Sequence, residues 1–285
     1  EALEKEPSIK AEVLSGLGEC YYNSGRYEEA ADKYLEAAGL YSNNLTAKRD
    51  CYSRVILSYA QDHQTDKAQY YLDYAALKGI SGDSLELLQI QFDNASGNNE
   101  KCISEVNSLM QRTSDSSILV RAYIAAAECE TDENSKLNWL IRALDCYNTD
   151  SDITRSIGYD LLVLGTDTDD PVISSRALES AEKCYSELKD GTDAQANDFL
   201  NLATIQRLLE KYNDALATLD DPKISKILSD RPGVIYMHKA FVYDAYGDSV
   251  RTMEYIRLAQ SELSGDQATP AEWEQFNTLA KKYGL

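Results

Sequence analysis

The sequence predicts an all-α chain: an α-α superhelix, a solenoid of about seven helical hairpins closed by a C-terminal capping helix. Three observations carry this. Helix breakers are scarce, with five prolines and fourteen glycines in 285 residues, which leaves room for long helical runs. Apolar and small residues recur at i, i+4 and i+7, one face of a helix. That triplet itself recurs along the chain, at steps between 34 residues (68 to 102) and 41 residues (174 to 215), as expected of stacked helical hairpins.

The first hairpin sets the template. One helix ends in Leu17-Gly18-Glu19-Cys20-Tyr21-Tyr22, a polar turn follows at Ser24-Gly25, and a second helix carries Tyr27, Ala30, Tyr34 and Ala37. Small Gly18, Ala30 and Ala37 let the two helices approach, and the tyrosines fill the space left. Equivalent second-helix triplets are Ala68, Leu72, Ala75 after Asp62 to Asp66, and Cys102, Val106, Leu109 after Asn94 to Asn99. Lys136, Leu140, Ala143 follow Thr131 to Asn134, and Ser174, Leu178, Ala181 follow Thr166 to Pro171. Ala215 and Leu219 follow Lys211 to Asn213, and Thr252, Ile256, Ala259 follow Tyr246 to Asp248. The repeats are placed at 11–48, 49–82, 83–116, 117–154, 155–195, 196–232 and 233–268, in a single domain over 1–285. At 269–285, Thr269-Pro270-Ala271-Glu272 predicts a capping box with proline at the first helical position. Trp273, Phe276, Ala280 and Tyr283 then form one apolar face of an amphipathic helix that covers the last repeat.

On these residues the chain resembles the tetratricopeptide repeat family in a bacterial-type array. Leu14, Leu17, Gly18, Tyr21, Ala30, Tyr34 and Ala37 stand at the signature spacings, and the 34-residue steps from Ala68 to Cys102 to Lys136 match the family period. The third to fifth repeats depart from it, with Cys102, Lys136 and Ser174 where a small residue should open the second helix.

Composition narrows the function. The net charge is −20, with 48 acidic and 28 basic side chains, so phosphate backbones and anionic membrane surfaces are repelled. No apolar run approaches the ~20 residues of a membrane span. Six cysteines (Cys20, Cys51, Cys102, Cys129, Cys146, Cys184) are widely spaced beside apolar residues. They are expected to be buried free thiols, which leans towards a reducing, cytoplasmic compartment. The chain opens on Glu1 rather than Met, so an excised segment of a longer protein is expected, while the capping helix places Leu285 near the end of the fold.

No catalytic constellation is visible, so the chain is not expected to be an enzyme and no metal or cofactor is expected. The two histidines, His63 and His238, fall in different repeats, and no zinc-protease, nucleophile-elbow, phosphate-loop or dinucleotide motif occurs. The run Asp167 to Asp170 lacks the glycine and terminal glutamate of a calcium loop and is expected to cap the following helix. Asn44-Leu45-Thr46 and Asn94-Ala95-Ser96 match a glycosylation sequon by chance. Of twenty tyrosines, most are expected in the core, with Tyr22, Tyr70, Tyr74 and Tyr159 facing outward.

The resemblance implies that first helices line a concave groove that binds a peptide or protein segment. The groove positions it implies are Glu12, Ser15, Glu19, Tyr22 and Asn23, then Asp50, Ser53, Leu57 and Gln61, then Leu87, Gln91 and Asn94. Arg121, Ala125 and Glu128 follow, then Tyr159 and Thr166, then Asn197, Thr204 and Arg207, then Met237, Phe241 and Asp244. One subtype clamps the C-terminal carboxylate of chaperones with lysine, asparagine and arginine; Glu12, Ser15, Glu19, Ser53 and Leu57 stand at those positions here, which disfavours that mode. A non-catalytic interaction scaffold with a basic or mixed apolar-basic partner is expected, with no nucleic acid and no membrane span. The alternative is a regulatory or sensor segment of a larger bacterial signalling protein, such as a serine/threonine kinase or transcriptional regulator.

Overall fold

The computed structural model describes residues 7–41, 44–146, 150–263 and 270–285. Among them every regular element is a helix. The helices are α1 (Pro7–Asn23), α2 (Tyr27–Leu40), α3 (Leu45–Gln61), α4 (Thr65–Leu77), α5 (Asp83–Ala95), α6 (Asn99–Leu109), α7 (Ser116–Cys129) and α8 (Glu133–Asp145). They continue with α9 (Ser151–Asp167), α10 (Pro171–Asp190), α11 (Ala196–Leu208), α12 (Tyr212–Leu219), α13 (Pro222–Ile227), α14 (Pro232–Tyr246), α15 (Ser249–Glu262) and α16 (Pro270–Lys282). They fall into two compact units, α1 to α8 and α9 to α16. The first holds four consecutive hairpins. The second holds three, plus α13 and α16.

One turn recurs. In five hairpins the residue just past the first helix has positive φ: Gly25, His63, Gly97, Glu210 and Gly247, between 58° and 87°. Each is locked by the same two backbone hydrogen bonds. The N–H of Gly25 donates to Tyr22 O (3.0 Å) and that of Arg26 to Tyr21 O (2.9 Å), the paired closure of a Schellman motif. His63 and Gln64 repeat it on Ala60 and Tyr59, and Gly97 and Asn98 on Asn94 and Asp93. Glu210 and Lys211 repeat it on Arg207 and Gln206, and Gly247 and Asp248 on Asp244 and Tyr243. Glycine reaches this backbone region freely; His63 and Glu210 hold it against a cost of about 1–2 kcal/mol. The two remaining turns are made differently. Asp132 caps α8 by accepting from Ser135 N at 2.8 Å. Asp170 caps α10 by accepting from Val172 N (2.8 Å) and Ile173 N (3.2 Å). The run Asp167 to Asp170 thus ends as a cap, as expected from sequence.

The triplets read from the sequence pack as read. Ala30, Tyr34, Ala37, Ala68, Leu72, Ala75, Cys102, Val106, Leu109, Leu140, Ala143, Leu178, Ala181, Ala215, Leu219, Thr252, Ile256 and Ala259 are all buried. Lys136 and Ser174, where the repeat pattern weakens, are only half-buried. Ser174 still makes the hairpin contact, its hydroxyl donating to Gly165 O at 2.6 Å. A Cβ on Gly18 would stand 3.0 Å from the Tyr34 ring, and one on Gly165 2.7 Å from Leu178 Cγ. The small residues of the first helices are therefore seats for the large residues of the second.

Some expectations need correction. Cys20 is exposed and Cys146 is half-buried beyond the end of α8; Cys51, Cys102, Cys129 and Cys184 are buried and all six are free thiols. The helical period does not distinguish a solvent-facing position from a buried one near the edge of the apolar arc. The short helix α13 is unannounced by any triplet. Asp221 starts it by accepting from Lys223 N at 2.8 Å, and Ile224 anchors it in the core. Thr269 of the expected capping box lies outside the described residues; Phe276, Leu279 and Ala280 of α16 are buried in the second unit.

Asp93 shows how a polar group is held inside. It is 1% exposed and accepts from Lys101 Nζ (2.8 Å), Gln89 Nε2 (2.6 Å) and Asn98 Nδ2 (3.0 Å). Burial pushes its carboxyl up, but these three donors outweigh burial and hold it below the ordinary aspartate value.

Two predictions follow from the packing and from Asp93. Gly165→Ala places a methyl into Leu178 and should lower stability by about 1–3 kcal/mol, read as a shift in urea midpoint; an unchanged midpoint contradicts the close seat. A folded-state pKa below the unfolded one means Asp93 stabilises above the unfolded value and loses that contribution as pH falls through the folded one. Asp93→Asn should therefore destabilise at neutral pH by about 1.5–3 kcal/mol, with the gap to wild type closing in acid. A gap independent of pH would overturn this assignment.

Candidate functional site

In the first unit the implied groove positions come together across successive first helices. Ser53 on α3 is buried, and its hydroxyl donates to Gln91 Oε1 on α5 at 2.8 Å. Asn94 on α5 donates through Nδ2 to Glu128 Oε2 on α7 and accepts from Cys129 Sγ at 3.2 Å. Arg121 on α7 reaches back to α3, where Nη2 lies 3.3 Å from Asp50 Oδ2. Buried Arg49 holds the other oxygen of Asp50 at 2.8 Å. Residues 34, 38 and 71 positions apart thus meet on one face. That face is fixed by the repeat period, which gives each first helix the same rotation.

The remaining first-unit positions surround these contacts. Glu12, Glu19, Asn23 and Gln61 are exposed, and Tyr22 is half-buried with its ring against Tyr27 at 5.3 Å. Neither Glu12 nor Glu19 has a cation at ion-pair distance among the described residues. Glu128 is reached by solvent but enclosed by the helices around it. That crowding raises its carboxyl above the ordinary glutamate value, against the opposing hydrogen bond from Asn94. Burial likewise raises the Tyr22 phenol, with Arg54 lowering it and Glu128 adding to the rise. A cleft of about 280 Å³ opens between α1 and α3, lined by Ser15, Glu19, Tyr34, Tyr41, Asp50 and Arg54 among others.

In the second unit Tyr159 is exposed on α9, and Thr204 and Arg207 lie half-buried on α11. Arg207 shares a cleft of about 280 Å³ with Phe241 and Asp244 of α14 and with Gln275, Thr278 and Lys282 of α16. Asp244 accepts from Lys282 Nζ and Tyr283 OH, both at 2.7 Å. Burial holds the Arg207 guanidinium below the ordinary arginine value, with Tyr212 and Asp244 opposing. Three implied residues therefore meet, together with an α16 wall that the sequence places only within an amphipathic helix.

Leu87 and Met237, implied as groove-facing, are fully buried, and Ala125 is buried as well. First helices are packed on both sides by other helices, so their apolar arc is wider than a single groove-facing stripe allows. Glycosylation at Asn94 conflicts with its place between α5 and α7, and Asn44 caps α3 by accepting from Ala47 N at 3.0 Å. Among the described residues no three histidine, cysteine or carboxylate side chains converge to hold a metal, and no helix is long and apolar enough to cross a membrane.

The Glu128 environment is open to measurement. Its carboxyl carbon should titrate by NMR above an ordinary glutamate, and further above it in Asn94→Ala, which removes the opposing donor. A midpoint in the ordinary range for wild type would remove the enclosed carboxylate from the site.

No family model matches the chain. A stretch of 31 residues is 68% identical to the human Protein O-mannosyl-transferase TMTC1; it covers 11% of this chain and only 4% of that curated relative. The chain is similar to several solved structures. One is the TPR2AB-domain–pHSP90 complex of yeast Sti1, at 17% identity over 97% of this chain and 99% of that one, with a TM-score of 0.37. Another is a tetratricopeptide repeat protein from Parabacteroides merdae, at 12% identity over 96% and 99%, with a TM-score of 0.38. A third is the C-terminal part of a TPR repeat-containing protein from Cytophaga hutchinsonii, at 10% identity over 90% and 97%, with a TM-score of 0.49.

Proposed function

We propose that the chain is a tetratricopeptide-type helical-repeat protein and a non-catalytic scaffold that binds a peptide or protein segment. The observation that carries this is the meeting of Ser53 with Gln91, Asn94 with Glu128 and Asp50 with Arg121 on one face of the first unit. Such a face offers fixed polar groups to a bound segment. Its proposed contact residues are Glu12, Glu19, Tyr22, Asn23, Ser53, Gln61, Gln91, Arg121 and Glu128. In the second unit they are Tyr159, Thr204, Arg207, Phe241 and Asp244. The scaffold is proposed to span residues 1–285 as one domain with the repeat boundaries given above. The buried free thiols support a reducing compartment.

The partner of the first unit is proposed to be basic or mixed apolar-basic. Support comes from the exposed, unpaired Glu12 and Glu19 and the enclosed Glu128, beside the apolar ring of Tyr22. Enclosure strengthens the attraction between Glu128 and a lysine or arginine by lowering the effective dielectric around them. Arrays of basic, neutral and acidic peptides, probed with the full chain at rising salt, test this. Basic peptides should be preferred, with affinity falling as salt rises. Glu128→Lys should weaken them about tenfold or more, in line with an unpaired charge inside an interface. Equal binding of all three classes, or indifference to Glu128→Lys, would sink the proposal.

A further inference from the structure

The first unit carries a second concentration of chemistry that the groove residues do not use. Tyr70, Tyr71 and Tyr74 of α4 and Tyr52 of α3 line a cleft of about 440 Å³, with Lys48, Lys78 and the α2 residues Leu35, Ala38 and Gly39 in the rest of its wall. Lys48 and Tyr52 lie about 200° around α3 from Asp50 and Arg54, at ~3.6 residues per turn, so this cleft is distinct from the first-helix face. Its rings are ordered. Tyr70 stacks on Tyr74 at 6.0 Å and 19°, and meets Tyr71 edge-on at 5.1 Å and 82°. Tyr74 meets Tyr52 edge-on at 6.1 Å. Tyr71 is in turn stacked on Tyr59 at 5.3 Å and 1°. Tyr52 is buried, yet Tyr70 is 57% exposed.

Two lysines are left over here. Lys78 Nζ sits 4.8 Å from the centre of the Tyr74 ring. Among the described residues neither Lys48 nor Lys78 has a carboxylate at ion-pair distance, in a chain with 48 acidic side chains. Surrounding helices satisfy their own backbone groups, so the cleft offers no strand edge to extend. What it offers is ring faces, phenol donors and two ammonium groups. A polyproline II segment complements the first two: its pyrrolidine rings pack on aromatic faces, its carbonyls lack internal donors, and its ordering cost is low. Carboxylates beside the prolines complement the lysines.

We propose that this tyrosine-lined cleft docks an acidic, proline-rich segment of a partner protein. The site is independent of the groove proposed above and stands or falls separately. The test is fluorescence anisotropy with the full chain and a dye-labelled peptide of Pro-Pro-Leu triplets flanked by Asp pairs. Saturable binding is expected, weakened about tenfold or more by Tyr70→Ala, the loss of an aromatic anchor. Lys78→Glu, at an exposed position, should weaken it and flatten its salt dependence; this variant decides the matter if Tyr70→Ala loses helicity by circular dichroism. Glu128→Lys should leave it unchanged. Absence of saturable binding, affinity indifferent to both cleft variants, or equal binding of a Lys-flanked peptide would overturn the proposal. So would loss of binding in Glu128→Lys, which would return the peptide to the groove.

Discussion

The turn that closes five of the seven hairpins is the constraint on which the other contacts depend. Two backbone hydrogen bonds and one positive φ send the chain back along itself at a fixed angle. The second helix then lands with its small residues opposite the first. Only then can Gly18 seat Tyr34, or Gly165 seat Leu178 in a hairpin that reaches the same end through an aspartate cap. The turn is strong enough to hold His63 and Glu210 in a backbone region that side chains normally avoid. Because the residues that close it are five apart, it is specified locally, and the chain can repeat it without long-range instruction.

That locality explains what was legible in sequence. Ala30, Tyr34 and Ala37 announce a hairpin because small and large residues at helical spacing have few other uses, and the same spacing recovered all seven second helices. Of the three weak matches, Lys136 and Ser174 fall in hairpins whose turns use Asp132 and Asp170 as caps, whereas Cys102 falls in one that keeps the shared closure and is buried all the same. α13 escaped notice because six residues are too few to display a period.

The implied groove positions were harder to read. Period alone puts Leu87, Met237 and Glu128 on related faces, but only packing shows that the first two are core and the third is not. A repeat period predicts which residues are neighbours, as with Asn94 and Glu128. It does not predict how deep they lie, because depth depends on helices contributed from elsewhere in the chain. For the same reason Gln275, Thr278 and Lys282 joined Arg207 without any signal beyond their place on a terminal amphipathic helix. The tyrosines divide similarly. Tyr70 and Tyr159 lie outward as their spacing suggested, but their spacing says nothing of the lysines that share a cleft with Tyr70.

The enclosure of Glu128 has a thermodynamic consequence. A carboxyl surrounded by helices, yet open to solvent, holds its proton more tightly than one on a convex surface. A cation that settles beside it must favour the ionised form and so drive the proton off. Where Glu128 carries its proton, association and proton release are then a single linked event. For such a partner the acidity of the medium becomes a variable of binding, set by the enclosure of one carboxyl as well as by the charges around it.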